Sequence, residues 1–362
     1  MRLFPTLAWH NTAALLPIML LTAPVIAAEP DPLARCTTIP DREERWRCYD
    51  EAAAQPVPPP ADNEPAKDEC GAEYTALSRQ WNTLPKCQSN LYRLVPYRQN
   101  YIIARYSNSP NNEPNSVNFG RAPDEHLDHT ELKFQLSLKV KVAEEIGDFV
   151  DLWVGYTQQS NWQAFNAANS RPFRETDYEP EVIATVPLRT ESSFFGLTPR
   201  LINVGLVHQS NGQSDPLSRS WNRAYVQFGA DWQSAATPKQ LAFLVRAWYR
   251  IPEAAASDNN PDIEHYMGYG DLLMFWTNGQ SNVSALVRDN LQSQNNRGFV
   301  RLDWSIPIAR VPQLRKIGTV EPLTQHELRF YVQVFAGYGE TLLDYNHYQT
   351  GIGIGFMVTD WM

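Results

Sequence analysis

The sequence predicts an all-β protein, a 12-stranded antiparallel transmembrane β-barrel with a small N-terminal periplasmic appendage. Three observations carry that prediction. After the first 28 residues no run of ~18 apolar residues occurs, so a helical membrane protein is excluded. From Leu91 onward, segments of ~10 residues alternate apolar and polar positions and are broken by Asn, Pro, Gly and Asp clusters. Aromatic residues make up 12% of the chain, with 11 Trp and 16 Tyr, the types that populate interfacial girdles. A mean hydropathy of −0.43 fits as well, because polar lumen positions offset lipid-facing ones.

Taken in chain order, residues 1–28 read as a signal peptide: Arg2 precedes an apolar run, Ala13 to Ala23, too short to span a bilayer, and small residues at Ala27 and Ala28 offer a cleavage site. Residues 29–90 read as an appendage. Asp41 with Glu44 opens a helical pattern to about Ala54, and the Pro-rich stretch from Gln55 begins an extended linker. All four cysteines, Cys36, Cys48, Cys70 and Cys87, fall here; an even number in an exported chain points to two disulfides, with three connectivities open and sequential pairing preferred. Without a CxxC pair or a nearby histidine, a zinc site is not expected.

Residues 91–362 then form the barrel. Strands are expected near 91–106, 131–143, 148–162, 178–188, 201–210, 221–232, 241–251, 263–277, 282–290, 297–308, 326–339 and 348–362. In the second, Leu132, Phe134, Leu136, Leu138, Val140 and Val142 alternate with Lys133, Gln135, Ser137, Lys139 and Lys141. The last sets Ile352, Ile354, Phe356 and Val358 against three glycines, and Trp361 is followed by Met362 rather than closing the segment on an aromatic. A soluble β-sandwich would alternate too, but so many long, regular segments suit a closed wall better. An even count returns both ends to the periplasmic side.

Strand parity also locates a candidate site. Ile202, Val204 and Leu206 share one face, and His208 and Ser210 continue it; on the returning strand Asn222 shares the face of Ala224, Val226 and Phe228. A hairpin therefore groups His208, Ser210 and Asn222 on the lipid side, where apolar residues are expected. A serine hydroxyl needs an imidazole to take its proton and a third group to fix the imidazole tautomer, which an asparagine oxygen can do. Gly212 offers a backbone N–H close to Ser210 for an oxyanion, and the oxygen-rich loop from Asn211 to Ser218 suits a hard cation such as calcium. No G-x-S-x-G elbow occurs, which excludes an α/β-hydrolase. The formal net charge of −9, with no basic stripe, excludes a nucleic-acid partner.

The run His208–Gly212, with Ser214-Asp-Pro and the Ser218–Arg223 stretch, resembles the outer membrane phospholipase A family. Tyr156–Ser160 with Trp162, Pro172–Thr176, Tyr178–Pro180, Asn260–Asp262, Tyr266–Gly268 and Gly337–Glu340 agree, so the resemblance covers roughly residues 90–362 and leaves out the appendage. It implies Ser210 as nucleophile, His208 as general base and then acid, Asn222 as orienter and Gly212 in the oxyanion hole. It implies a catalytic calcium held through Gln213, Ser218 and, from a second subunit, Ser170. Gln213 stands where the family has Arg, and Asn259 stands where Asp is usual beside a secondary calcium site. Gln158, on the lipid-facing parity of the third strand, implies a homodimer contact, since an amide in hydrocarbon gains from a partner. The expected function is calcium-dependent hydrolysis of phospholipid acyl esters (A1/A2 and lysophospholipase type) in the outer membrane by an enzyme active as a dimer. The alternatives are a porin-like channel, which would place its polar groups in the lumen, and an inactive structural barrel.

Overall fold

The computed structural model describes residue 36 and residues 39–54, 75–84, 91–147, 149–190, 192–312 and 328–361. Residues 1–62 and 63–362 form two units. In the first, helix α1 (Arg42–Ala54) begins where Asp41 Oδ1 accepts from the Glu43 and Glu44 main-chain N–H groups at 3.0 and 2.9 Å. The Cys36–Cys48 disulfide matches the sequential pairing; Cys70 and Cys87 lie outside the described residues.

The second unit is an antiparallel barrel of twelve strands: β1 (Asn100–Ser107), β2 (Thr130–Ile146), β3 (Val150–Trp162), β4 (Phe173–Pro187), β5 (Thr198–Ser210), β6 (Ser220–Gln233), β7 (Gln240–Ile251), β8 (Gly270–Thr277), β9 (Asn282–Asp289), β10 (Gly298–Pro307), β11 (Arg329–Tyr338) and β12 (Tyr348–Thr359). Each pairs with its sequence neighbour, and β12 pairs back onto β1 through Gly351↔Ser107 to Thr359↔Asn100, so the wall has no free edge. Among the described residues no helix is long and apolar enough to cross a membrane; the strands do so.

Alternation sorts every strand into two faces. On β2 the even residues lie outward while Lys133, Lys139 and Lys141 are buried inside; on β12 Ile352, Ile354, Phe356 and Val358 are exposed. In a soluble protein such exposed apolar rows would be a liability, whereas in a bilayer they are the solvent-matched surface. Most of these buried charges are paired, as a low-dielectric interior demands: Lys133 Nζ meets Glu340 at 2.5 Å, Lys141 meets Asp151 at 2.8 Å, and Arg98 meets both Glu179 and Glu181 at 3.0 and 2.9 Å, whereas Lys139 lies against the Trp81 and Trp153 rings.

Both ends of the lumen are crossed by the chain. Near the Gln233/Gln240 end, helix α2 (Ala76–Trp81) is capped by Thr75 and hung from the wall by Ala76 N–H to Gln240 Oε1 and Leu77 N–H to Asp231 Oδ2, at 3.1 and 3.4 Å. Its Trp81 packs edge-on against Tyr97 and Trp153, with the Lys139 ammonium 3.3 Å from its ring centre. At the opposite end the segment after β11 tucks Leu342, Leu343 and Tyr345 inside, where Leu342 and Leu343 N–H groups donate to Asp177 and Glu175 at 3.1 and 2.7 Å. The chain thus crosses the lumen at both ends, whereas the channel alternative requires an open passage.

Three expected boundaries move. The first strand begins at Asn100, not 91: Leu94–Pro96 does pair with β2, but Pro96 has no N–H to continue the ladder, and Tyr97–Gln99 bulge inward so that Arg98 reaches its carboxylates. The fourth starts earlier, at Phe173, where Arg174 is drawn in by Glu131 and Asp344 and Glu175 accepts from the Leu343 N–H. The eighth starts at Gly270, because Asn260-Pro-Asp opens a turn and Glu264–Met267 makes one helical turn, α3, before Gly268 (φ +65°) reverses the chain against Asp289.

Candidate active site

β5 and β6 are joined by residues 211–219, and their register places His208 opposite Asn222 and Ser210 opposite Ser220. The outward row of β5 is Val204, Leu206 and His208, all exposed, with Ser210 half-buried at the rim; Asn203, Gly205 and Val207 face in. On β6, Asn222, Ala224, Val226 and Phe228 share the outward face and Trp221, Arg223, Tyr225 and Gln227 the inner one. The parity argument thus brings His208, Ser210 and Asn222 together on the lipid side.

His208 Nδ1 lies 2.8 Å from Asn222 Oδ1. An amide oxygen only accepts, so Nδ1 carries the proton and donates it, which leaves Nε2 with its lone pair free. His208 and Ser210 are two residues apart on one face of one strand, the neighbour relation a period-two element provides. The amide is held from behind: Asn222 Nδ2 donates to Glu253 Oε1 at 3.2 Å. Burial pushes the Glu253 carboxyl above its usual range and Asp258 adds to the rise, while Arg250, the Asn222 hydrogen bond and His208 oppose it.

The loop after Ser210 is built on Asn211. Its Oδ1 accepts from Arg219 N–H and Gln213 N–H at 2.9 and 3.3 Å, and its Nδ2 donates to the Leu217 carbonyl at 2.9 Å. That staple lets Gly212 take φ +65°, where a Cβ would lie 3.3 Å from the Tyr178 ring; a side chain here is both strained and crowded. Below, Gln209 accepts from Trp221 Nε1 and Arg223 Nη2 at 2.9 and 3.0 Å, so the strand carrying the site is anchored through its inward residues.

The other expected residues are spread around this core. Gln213 uses its side-chain amide on the Arg174 carbonyl at 3.0 Å. Ser218 Oγ donates at 3.4 Å to Asn259 Oδ1, and Asn259 Nδ2 donates to Asp215 Oδ1 at 2.5 Å, a bond that an aspartate at 259 could not make. Ser170 stands apart in the 163–172 loop at φ +58°, bonded through its N–H to the Ala167 carbonyl at 3.3 Å. Gln158 lies outward on β3 beside Tyr178 of β4, which in turn pairs with Ser210. Its amide already has partners on its own strand, accepting from Tyr156 OH at 3.0 Å and donating to Ser160 Oγ at 3.2 Å, so it is not left bare in hydrocarbon as parity alone suggests.

Sequence reasoning missed Glu253, Asn211 and Gln209 as parts of this site. For Glu253 a signal existed: Ile251 pairs with Asn222, and residue 253 continues its outward parity.

A closed barrel with apolar outer rows, one of which ends in a histidine and a serine beside an asparagine, defines an outer-membrane enzyme that meets lipid at its wall. The family model for phospholipase A1 matches residues 77–358. The chain belongs to that family, and its place is the outer membrane. A relative from Neisseria meningitidis serogroup B is 38% identical over 295 residues, covering 79% of this chain and 71% of its own length. The phospholipase A1 of Klebsiella pneumoniae is 37% identical over 273 residues, covering 75% and 84%. Among solved structures, an active-site asparagine-to-alanine mutant of the Escherichia coli outer membrane phospholipase A superposes with a TM-score of 0.64 at 33% identity, covering 80% of this chain and 100% of that one. The Salmonella typhi outer membrane phospholipase, a dimer with bound calcium, superposes with a TM-score of 0.61 at 34% identity, covering 76% and 95%.

Proposed function

We propose that this phospholipase hydrolyses acyl esters of outer-membrane phospholipids (A1/A2 and lysophospholipase type) through Ser210, His208 and Asn222, with the lipid approaching laterally along the outer wall. The observation that carries the reading is the 2.8 Å contact between His208 Nδ1 and Asn222 Oδ1 on a lipid-facing surface. Nothing about barrel stability asks for an imidazole and an amide in that row, and desolvating them there has a cost. Support also comes from the E. coli relative, whose active site contains an asparagine.

In this mechanism His208 Nε2 takes the Ser210 Oγ proton as the hydroxyl attacks the ester carbonyl, and returns it to the leaving alcohol; a water then repeats the exchange to release the fatty acid. Asn222 holds the tautomer throughout. Being neutral, it stabilises the imidazolium less than a carboxylate would, which places more of the burden on the oxyanion side, where the Gly212 N–H is poised by its left-handed backbone.

The residues present fit a calcium ion. The oxygens at hand are hydroxyl, carbonyl and carboxylate, the donors a hard cation takes. Because the Gln213 side chain is spent on Arg174, the residue would offer its main-chain carbonyl, and the departure from the family's Arg is then tolerable; Ser218, whose hydroxyl makes a long 3.4 Å bond to Asn259, would offer that hydroxyl, and Ser170 of a second copy would complete the set. When bound there, calcium would polarise the ester carbonyl and add positive charge near the oxyanion. At Asn259 the amide cross-link to Asp215 takes the place that a secondary ion would fill. A homodimer across the β3–β4 wall is proposed with it, Gln158 using its remaining donor and acceptor on the partner, in line with the calcium-bound dimer of the S. typhi relative.

The test is hydrolysis of a micellar phospholipid by the detergent-solubilised protein, with calcium or with chelator, beside Ser210→Ala. We expect activity only in the calcium-replete parent protein; turnover by Ser210→Ala would contradict the mechanism, and full turnover in chelator would contradict the metal.

A further inference from the structure

The neutral orienter is itself oriented by a carboxylate. Asn222 shows two polar faces, Oδ1 towards His208 Nδ1 at 2.8 Å and Nδ2 towards Glu253 Oε1 at 3.2 Å. Glu253 comes from the chain just past β7, whose Ile251 pairs directly with Asn222; Pro252 intervenes, and the parity of Ile251 carries the Glu253 side chain onto the same outward surface.

We propose that Glu253 is a positioning residue of the active site, fixing the Asn222 amide so that its oxygen faces His208 and completing a relay from Ser210 through His208 and Asn222 to a carboxylate. The proposal rests on the triad reading above and extends it by one residue.

The reason is the near-symmetry of a primary amide. Its oxygen and nitrogen ends are almost the same size, so packing alone selects weakly between two orientations 180° apart. In the wrong one Nδ2 would face Nδ1, the imidazole would have to accept there, its proton would move to Nε2, and the base that Ser210 needs would be gone. An ionised carboxylate removes the ambiguity because it only accepts, so only the Nδ2 end can face Glu253. Its charge also acts on catalysis through the amide: as the imidazolium forms, a negative group behind Asn222 strengthens the bond at Oδ1. No cation among the described residues pairs with Glu253, because Arg250, on the adjoining strand end, spends its guanidinium on Asp258 at 2.8 and 2.9 Å, and the carboxylate is left to the Asn222 amide. The residue is half-buried at the rim, where a carboxylate contributes at a distance without the full desolvation that a membrane-embedded aspartate at position 222 would meet.

The experiment is a double-mutant cycle on the full-length protein in detergent, with kcat and KM measured on a micellar phospholipid for the parent, Asn222→Ala, Glu253→Ala, Glu253→Gln and the Asn222→Ala/Glu253→Ala double variant. Ser210→Ala sets the background. Glu253→Ala is expected to lower kcat about tenfold with KM little changed, and Glu253→Gln, whose Oε1 still accepts from Nδ2, to lose about threefold. In the Asn222→Ala background the Glu253 substitution is expected to cost nothing further, since it acts only through that amide. If Glu253→Ala does not assemble, Glu253→Met, which keeps the bulk and lacks the acceptor, carries the same expectation. Parent-like kcat in Glu253→Ala beside an impaired Asn222→Ala would overturn the relay and leave the triad standing. An undiminished loss in the Asn222→Ala background would overturn it too, by placing the effect of Glu253 elsewhere. A neutral Asn222→Ala would remove the triad reading itself, and the relay with it.

Discussion

At the scale of single residues, the site depends on side chains placed against the general character of their surface. His208 is exposed in a row whose other members are Val204 and Leu206, and Asn222 begins a row that continues through Val226 and Phe228. Gly212 is the site residue most constrained by its backbone, and Gly212→Ala is expected to lower kcat about 10- to 100-fold and to cost about 1–2 kcal/mol in stability, because a side chain at φ +65° is strained and shifts the N–H proposed to face the oxyanion. Rates on a micellar phospholipid, with heat-dependent gel mobility as the control for folding, check this. His208, Ser210 and Asn222 were legible in the sequence because period-two parity is a local property. Glu253 was not, because its contact depends on which strand pairs with β6 and in what register, a fact no single segment contains.

At the scale of elements, the barrel wall follows from alternation alone, which is why all twelve expected segments appear as strands. What alternation could not set was the boundaries. The ends are decided by lumen chemistry, as at Arg98 and Arg174, and by the Asn-Pro-Asp turn before Gly270. Two predictions belong here. Val204→Lys puts a charge on the lipid face of β5 and is expected to destabilise the barrel by about 2–4 kcal/mol if the position lies near the bilayer midplane, read from unfolding in lipid vesicles. Trp81→Ala removes a ring that is 1% exposed and packed on Tyr97, Trp153 and Lys139, and is expected to cost about 3–5 kcal/mol in the same measurement. That α2 plugs the lumen was not legible in the sequence: its Thr75-capped turn lies in what reads as appendage and linker, and only the hydrogen bonds to Asp231 and Gln240 reveal where it docks.

At the scale of the whole molecule, the barrel is a closed scaffold crossed by chain at both ends, and the proposed site lies on its outer wall. That arrangement lets the substrate stay in the membrane, and it makes assembly a natural control: a second copy docking on β3 and β4 would cover Gln158 and bring another Ser170 to the loop that follows Ser210. Replacing Gln158 by Ala is therefore expected to weaken calcium-dependent association about 10-fold, measured by sedimentation in detergent, while the isolated chain stays folded, because its same-strand partners Tyr156 and Ser160 can hydrogen-bond elsewhere. The central claim is that Ser210, activated by His208, is the nucleophile on the lipid-facing surface. Its most direct test is to treat the calcium-loaded protein with an alkyl fluorophosphonate and map the adduct by mass spectrometry: one modification, on Ser210 and lost in His208→Ala, is the predicted result, and modification of another serine, or none in protein that still hydrolyses phospholipid, would contradict it.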